Sequence, residues 1–165
     1  ELYIRNADQL AGFGAVVGGM DGQQQDSFSG KTVKLLADWV APNGEFYITK
    51  SNGWQYGTNN GSLYINDDHI LTIDLNGHKI DRNLSEAKDD GMVFYLNDYE
   101  AKLTIKDSVG GGKITGGNNT GDGGAFYAYD GFLFIEGGEI TDVHILFCLF
   151  LAVGSDVDIQ LIHGG

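Results

Sequence analysis

One cysteine and one proline in 165 residues remove two of the usual ways of stiffening a small fold. Cys148 alone cannot close an intrachain disulfide or build a Cys-based zinc cluster, and it leaves the redox compartment open. Cations are also scarce: ten Lys and Arg stand against 23 Asp and Glu, a formal net charge of −13. That balance speaks against nucleic acid and anionic lipid as partners, whose binding rests on Lys and Arg. Long apolar runs are missing too. The longest, His144 to Val153, spans ten residues and is too short to cross a bilayer as a helix, so it reads as a buried strand or a contact surface. The first segment carries Arg5, Asp8 and Gln9 where a signal peptide would be apolar, and with Glu1 leading it the chain reads as a mature or excised piece.

What the chain has instead is repetition. Leu63-Tyr64-Ile65-Asn66 returns as Phe94-Tyr95-Leu96-Asn97, Phe126-Tyr127-Ala128-Tyr129 and Leu149-Phe150-Leu151-Ala152. Each is followed by a second apolar alternation: Leu71-Thr72-Ile73, Leu103-Thr104-Ile105, Leu133-Phe134-Ile135 and Val157-Asp158-Ile159. The central aromatics lie 31, 32 and 23 residues apart, a spacing that suits stacked β-coils with loops of varying length. The 26 glycines fall mostly between the apolar runs, where turns are needed.

Period-two alternation assigns the faces. The inward positions of the first strand are Leu63/Ile65, Phe94/Leu96, Phe126/Ala128 and Leu149/Leu151. Those of the second are Leu71/Ile73/Leu75, Leu103/Ile105, Leu133/Ile135 and Val157/Ile159/Leu161, with Ile80, Ile114 and Ile140 as a third wall. Ile73, Ile105, Ile135 and Ile159 are expected in one column. Outward, Asp74, Lys106 and Glu136 alternate in sign, as do Lys113 and Glu139. Three short strands per repeat, always in one order, predict an all-β triangular parallel β-helix, a solenoid. Asn6 to Met20 reads as a short N-terminal capping helix, with Asn6 as N-cap and Gln9 three residues on. Thr32–Leu36 and Phe46–Thr49 are expected strands, and residues 42–60 are otherwise irregular. The division is one domain, 1–165, with a cap over 1–25 and coils over 26–165.

The segments LTIDLNGHKIDRN (Leu71–Asn83), LTIKDSVGGGKITGGNNTGDGG (Leu103–Gly124) and FIEGGEITD (Phe134–Asp142) resemble right-handed parallel β-helix repeats of large bacterial cell-surface proteins, which have the pectate-lyase-like superfold. ADQLAGFGAVV and DSFSGKTVKLLAD (Asp26–Asp38) are similar to the opening of such domains. The resemblance runs through Asp142 and departs at His144-Ile145-Leu146-Phe147-Cys148, where the family has a polar turn. It implies a right-handed coil, an extracellular or cell-surface location and an adhesin-like role.

A polysaccharide lyase or hydrolase on this fold needs clustered carboxylates, or Ca²⁺ beside a Lys or Arg base. Asp67/Asp68, Asp89/Asp90, Asp98 and Asp122 are the candidates, Asp67 and Asp98 in corresponding turns. Asp is equally an ordinary turn residue. Arg5 and Arg82 are the only arginines, and neither pairs with an acidic cluster in the sequence. His69, His78, His144 and His163 show no metal-ligand spacing. Asn118–Gly124 is the one stretch that suits Ca²⁺, without the acidic spacing of a calcium loop, so no cofactor is expected.

Recognition is suggested by the outward aromatics Tyr64, Tyr95, Tyr127 and Phe150, four rings on one wall at strand spacing, suited to sugar rings or a protein surface. Phe147 and Phe150 in the apolar run are the candidates for self-association. The expected function is a non-enzymatic extracellular module for adhesion or surface display, with a carbohydrate or host-surface ligand. The alternatives are a self-assembling, filament-forming structural protein, motivated by a last coil with no recognisable cap, and a polysaccharide lyase or hydrolase.

Overall fold

The computed structural model describes residues 1–6, 9, 13, 30–44, 47–49, 55–57, 62–65, 70–121, 123–145, 149–153 and 158–163. Fourteen strands follow in order: β1 (Leu2–Ile4), β2 (Lys31–Leu35), β3 (Trp39–Val40), β4 (Tyr47–Thr49), β5 (Gln55–Gly57), β6 (Leu63–Ile65), β7 (Ile70–Asp74), β8 (Lys79–Asp81), β9 (Phe94–Lys106), β10 (Lys113–Thr115), β11 (Phe126–Ile135), β12 (Glu139–Ile145), β13 (Leu149–Ala152) and β14 (Asp158–His163). Twelve belong to one curled, parallel sheet, and β4 pairs with β5 in a separate antiparallel ribbon. Helix is nearly absent among the described residues; Pro42–Gly44 forms a 3-10 turn.

The pairings fall into three rows. In the first, β6 lies against the start of β9, then the start of β11, the end of β12 and the end of β14. The second joins β1, β2, β7, the end of β9, the end of β11 and β13. The third joins β3, β8, β10, the start of β12 and the start of β14. From Leu63 to Ile135 the register follows the repeat. Tyr64 faces Tyr95 and Tyr95 faces Tyr127; Ile73 faces Ile105 and Ile105 faces Ile135; Ile80 faces Ile114 and Ile114 faces Ile140. The inward residues of these strands are buried, with the Phe94 and Phe126 rings stacked at 4.9 Å and 8° between planes. Each large aliphatic side chain removed from water in this way contributes about 1.5–3 kcal/mol.

β9 and β11 run unbroken from the first row into the second, and Gly131 sits at the bend of β11 with φ of 96°. A Cβ there would stand 2.5 Å from the Asp98 carbonyl oxygen and 2.8 Å from that of Ala101, so the corner admits only glycine.

Past Ile140 the expected register fails. Ile159 faces Ile140 in the third row, and the second-row partner of Ile135 is Ala152. β13 faces Phe132–Ile135, which sets Phe150 opposite Leu133 and away from Tyr127. Leu149 and Leu151, expected inward, are 59% and 48% exposed. The cause is the shortened interval: β12 passes directly from the third row into the first, so Val143–Ile145 fills the place given to Leu149–Leu151. A one-residue slip then reverses every face.

Three further expectations change. Asp74, taken as outward, is buried at the second-row corner, where it accepts hydrogen bonds, though it does face Lys106 in register. Tyr47–Thr49 is a strand as expected, but within an antiparallel ribbon with Gln55–Gly57, inside the stretch read as irregular. The N-terminal segment begins with a strand of the main sheet, β1. Most of Asn6–Met20 lies outside the described residues. Within it the Asn6 side chain accepts from the Gln9 N–H (2.9 Å), the Gln9 side chain accepts from the Arg5 N–H (2.8 Å), and Phe13 is buried in the core.

Candidate ligand-binding face

Alternation places Tyr64, Tyr95 and Tyr127 on the outside of the first row because their neighbours Leu63/Ile65, Phe94/Leu96 and Phe126/Ala128 fill the inside. Their ring centroids are 4.9 and 5.4 Å apart, with planes tilted by 54° and 52°. All three are half-buried. Asn97 anchors the lower end of the row by donating its side-chain amide to the Tyr64 hydroxyl at 2.7 Å. Burial, followed by the neighbouring hydroxyls of Tyr64 and Tyr127 and the Asp90 carboxylate, raises the Tyr95 hydroxyl above its ordinary value. It stays protonated and able to donate at neutral pH.

Beside the row lies an open cleft of about 340 Å³, lined by Asp89, Asp90, Met92, Tyr95, Asn119, Thr120 and Tyr127. Two loops build it, the one from Arg82 to Val93 and the one after β10. They are laced together: the Lys88 N–H donates to the Asn118 carbonyl (3.0 Å), the Thr120 N–H to the Lys88 carbonyl (3.1 Å) and the Asn118 N–H to the Gly91 carbonyl (2.8 Å). The Thr120 hydroxyl donates to the Asp89 carboxylate. Gly91 is required for this approach, since a Cβ on it would fall 2.1 Å from the Asn118 carbonyl oxygen. Beneath the loop, Arg82 is fully buried and donates to the carbonyl oxygens of Gly44, Asp90 and Met92. A planar guanidinium with several donors holds such diverging carbonyls in a way one ammonium group does not.

The structure therefore joins Tyr95 and Tyr127 with Asp89 and Asp90 at the cleft, with Tyr64 next to Tyr95 in the row, but does not bring Phe150 to them; the backbone position after Tyr127 belongs to His144. Phe147, Asp67, Asp68, Asp122 and His69 lie outside the described residues. Asp98, expected in a turn, lies within β9, where its side chain accepts from the Glu100 N–H at 2.9 Å. His78 pairs with Asp38 at 3.2 Å, and His163 faces Ile145 in the sheet. Asn119 and Thr120 belong to the Asn118–Gly124 stretch considered for Ca²⁺, but their place beside the tyrosines, like that of Met92, has no signal in the sequence, because cross-loop bridges such as Lys88 with Asn119 are not periodic.

A second cavity, about 380 Å³, lies over the turns Asp107–Gly112 and Glu136–Glu139. Its Asp107 carboxylate accepts from the N–H groups of Gly77 (2.7 Å) and Gly112 (2.6 Å). Among the described residues no group of three or more His, Cys, Asp or Glu is placed to hold a metal ion, and no helix is long and apolar enough to cross a membrane. Comparison with protein-family models, curated proteins and solved structures gives no match.

Proposed function

We propose that the chain is a right-handed parallel β-helix serving as a non-enzymatic extracellular module for adhesion or surface display, of the bacterial adhesin-like type, with the tyrosine row as its adhesive face. The observation that carries this reading is three outward tyrosines in register beside an open cleft on a closely bonded frame. The three rows of parallel pairing support the coil, and the resemblance of Leu71–Asp142 to surface-protein repeats supports the location. Two of the described polar candidates support a non-catalytic role, Asp98 engaged within β9 and Arg82 buried against carbonyl groups, while Asp89 and Asp90 stand at the cleft and are tested by the incubation below.

The test is retention of protein-coated beads on intact cell walls, plant fibre and mucin layers. Tyr95→Ala should abolish a retention that wild type shows on at least one of them; equal retention of the variant overturns the role of the row. Incubation with acidic and neutral polysaccharides, with and without Ca²⁺, should release no reducing ends or unsaturated products.

Self-assembly is the second reading, favoured by a different surface. Leu149, Leu151 and Val153 are 59%, 48% and 42% exposed, and β13 lies against Phe132 and Phe134 of β11. Leu151→Asp should then lower the sedimentation coefficient at high concentration without lowering the melting temperature. A chain that is monomeric before the substitution removes this alternative.

A further inference from the structure

We propose that the tyrosine row and its cleft bind an extended, uncharged polysaccharide laid along the row, about one sugar ring to each tyrosine; this rests on the adhesive reading above and names its ligand. Spacing is the first reason. The ring centroids advance by 4.9 and 5.4 Å, on the scale of one pyranose in an extended chain, so successive sugars meet successive rings. An extended peptide does not match this interval, because its same-face side chains recur at about 6.6 Å. Single-stranded nucleic acid also stacks on aromatics, but it brings phosphates to a protein of net charge −13.

The chemistry of the rim is the second reason. A pyranose has an apolar C–H face and an equatorial belt of hydroxyls, and it needs an aromatic floor with donors and acceptors at the side. The tyrosines supply the floor. Asp89 and Asp90 supply acceptor oxygens, the Thr120 oxygen another while its proton goes to Asp89, the Asn119 side chain, whose oxygen takes the Gly91 N–H, presents its amide N–H groups, and the Tyr95 hydroxyl is a donor as any phenol is at neutral pH. Two carboxylates at this edge repel uronate and sulfated chains, which leaves neutral polymers. The loops carrying the polar groups are fixed before binding by the Lys88–Asn118 ladder and by Arg82, so ordering them costs the complex little.

Isothermal titration with soluble neutral polysaccharides (a mixed-linkage glucan, a galactomannan, an arabinoxylan) and their oligosaccharides tests this, with polygalacturonate and poly-lysine as comparators. One neutral polymer should bind, with affinity rising up to about three sugars and levelling beyond, while polygalacturonate gives no heat. Tyr95→Ala should weaken binding at least about tenfold, equivalent to about 1.4 kcal/mol. Tyr95→Phe keeps the ring and should stay within a few-fold of wild type, with both variants melting near wild type. If adhesion depends on Tyr95 yet no neutral polymer of the panel binds or competes, the ligand class is wrong and the adhesive reading stands. Competition by poly-lysine alone replaces the glycan with a basic peptide. Glycan binding that survives both Tyr95→Ala and Tyr127→Ala moves the site elsewhere.

Discussion

Two sets of aspartates occupy loops of the same molecule in opposite ways. Asp74 and Asp107, at successive turns between the second and third rows, clasp each other's turns: Asp74 accepts from Asn76 in its own turn and Ser108 in the next, both at 3.0 Å, and Asp107 from Gly112 in its own turn and Gly77 in the previous one. Asp89 and Asp90, between the third row and the first, stand at the rim of the tyrosine cleft, where Asp89 takes the Thr120 hydroxyl. The difference follows from backbone supply. A tight turn turns its N–H groups away from the sheet ladder, and buried N–H groups need an acceptor. In the Arg82–Val93 loop, carbonyl groups of the facing loop take N–H groups such as that of Lys88, and the Asp89 and Asp90 carboxylates stand at the cleft. An excess of acidic residues is therefore no measure of binding capacity, since Asp74 and Asp107 are used to close turns.

The contrast is set against a core on which both loops depend. Ile105→Asp puts an unpaired carboxylate in the buried Ile73–Ile105–Ile135 column and should cost more than about 4 kcal/mol, leaving a chain without a cooperative melting transition in circular dichroism. Removing a clasp comes next. Asp107→Ala deprives Gly77 and Gly112 of a charged acceptor and should lower stability by about 3 kcal/mol in urea titration. Asp90→Asn, at the rim, should stay within about 0.5 kcal/mol of wild type in the same titration; a loss as large as that of Asp107→Ala would erase the distinction.

Acid sharpens the contrast without any mutation. Burial alone would raise the Asp74 carboxyl, but hydrogen bonds from Ser108 and Asn76 and the charge of Lys106 outweigh it and hold the group below its ordinary value. A carboxylate lowered in the folded state contributes stability that is complete above its unfolded value of about 3.9 and disappears as pH falls through the folded value. Stability should therefore drop below about pH 4, and Asp74→Asn should flatten that limb of the profile. A comparably small effect belongs to the exposed Lys113–Glu139 pair at 3.0 Å, where Lys113→Ala should cost less than about 1 kcal/mol and less still in high salt.

The rows between Leu63 and Ile140 were legible because strict alternation leaves one way to bury them, and the tyrosine row followed as its outward complement. The charge pair Lys113–Glu139 was legible for the same reason. Legibility ended where alternation did. His144 to Val153 is apolar at nearly every position, so either parity buries a plausible face, and the 23-residue interval ending at Phe150 signalled a skipped loop that aromatic matching overrode. The cleft needed the loop after β8, held from beneath by a buried arginine, to meet the loop after β10 through carbonyls and a close glycine, none of which has a period in sequence. The Asp74–Asp107 clasp was hidden likewise, because turn propensity says that an aspartate is welcome but not which N–H groups it will take.

Register between rungs has a consequence for how such a chain tolerates changes of length. Phe126 follows Phe94 by 32 residues and pairs with it in parallel. Duplicating that block in the gene would add its strands in the same order and should lengthen the aromatic row by one ring. Deleting one residue inside β9 would turn part of the strand inside out, presenting leucines to water and tyrosines to the interior. Large, in-phase insertions should thus be easier to inherit than small ones, and the reach of the surface adjusts in whole steps.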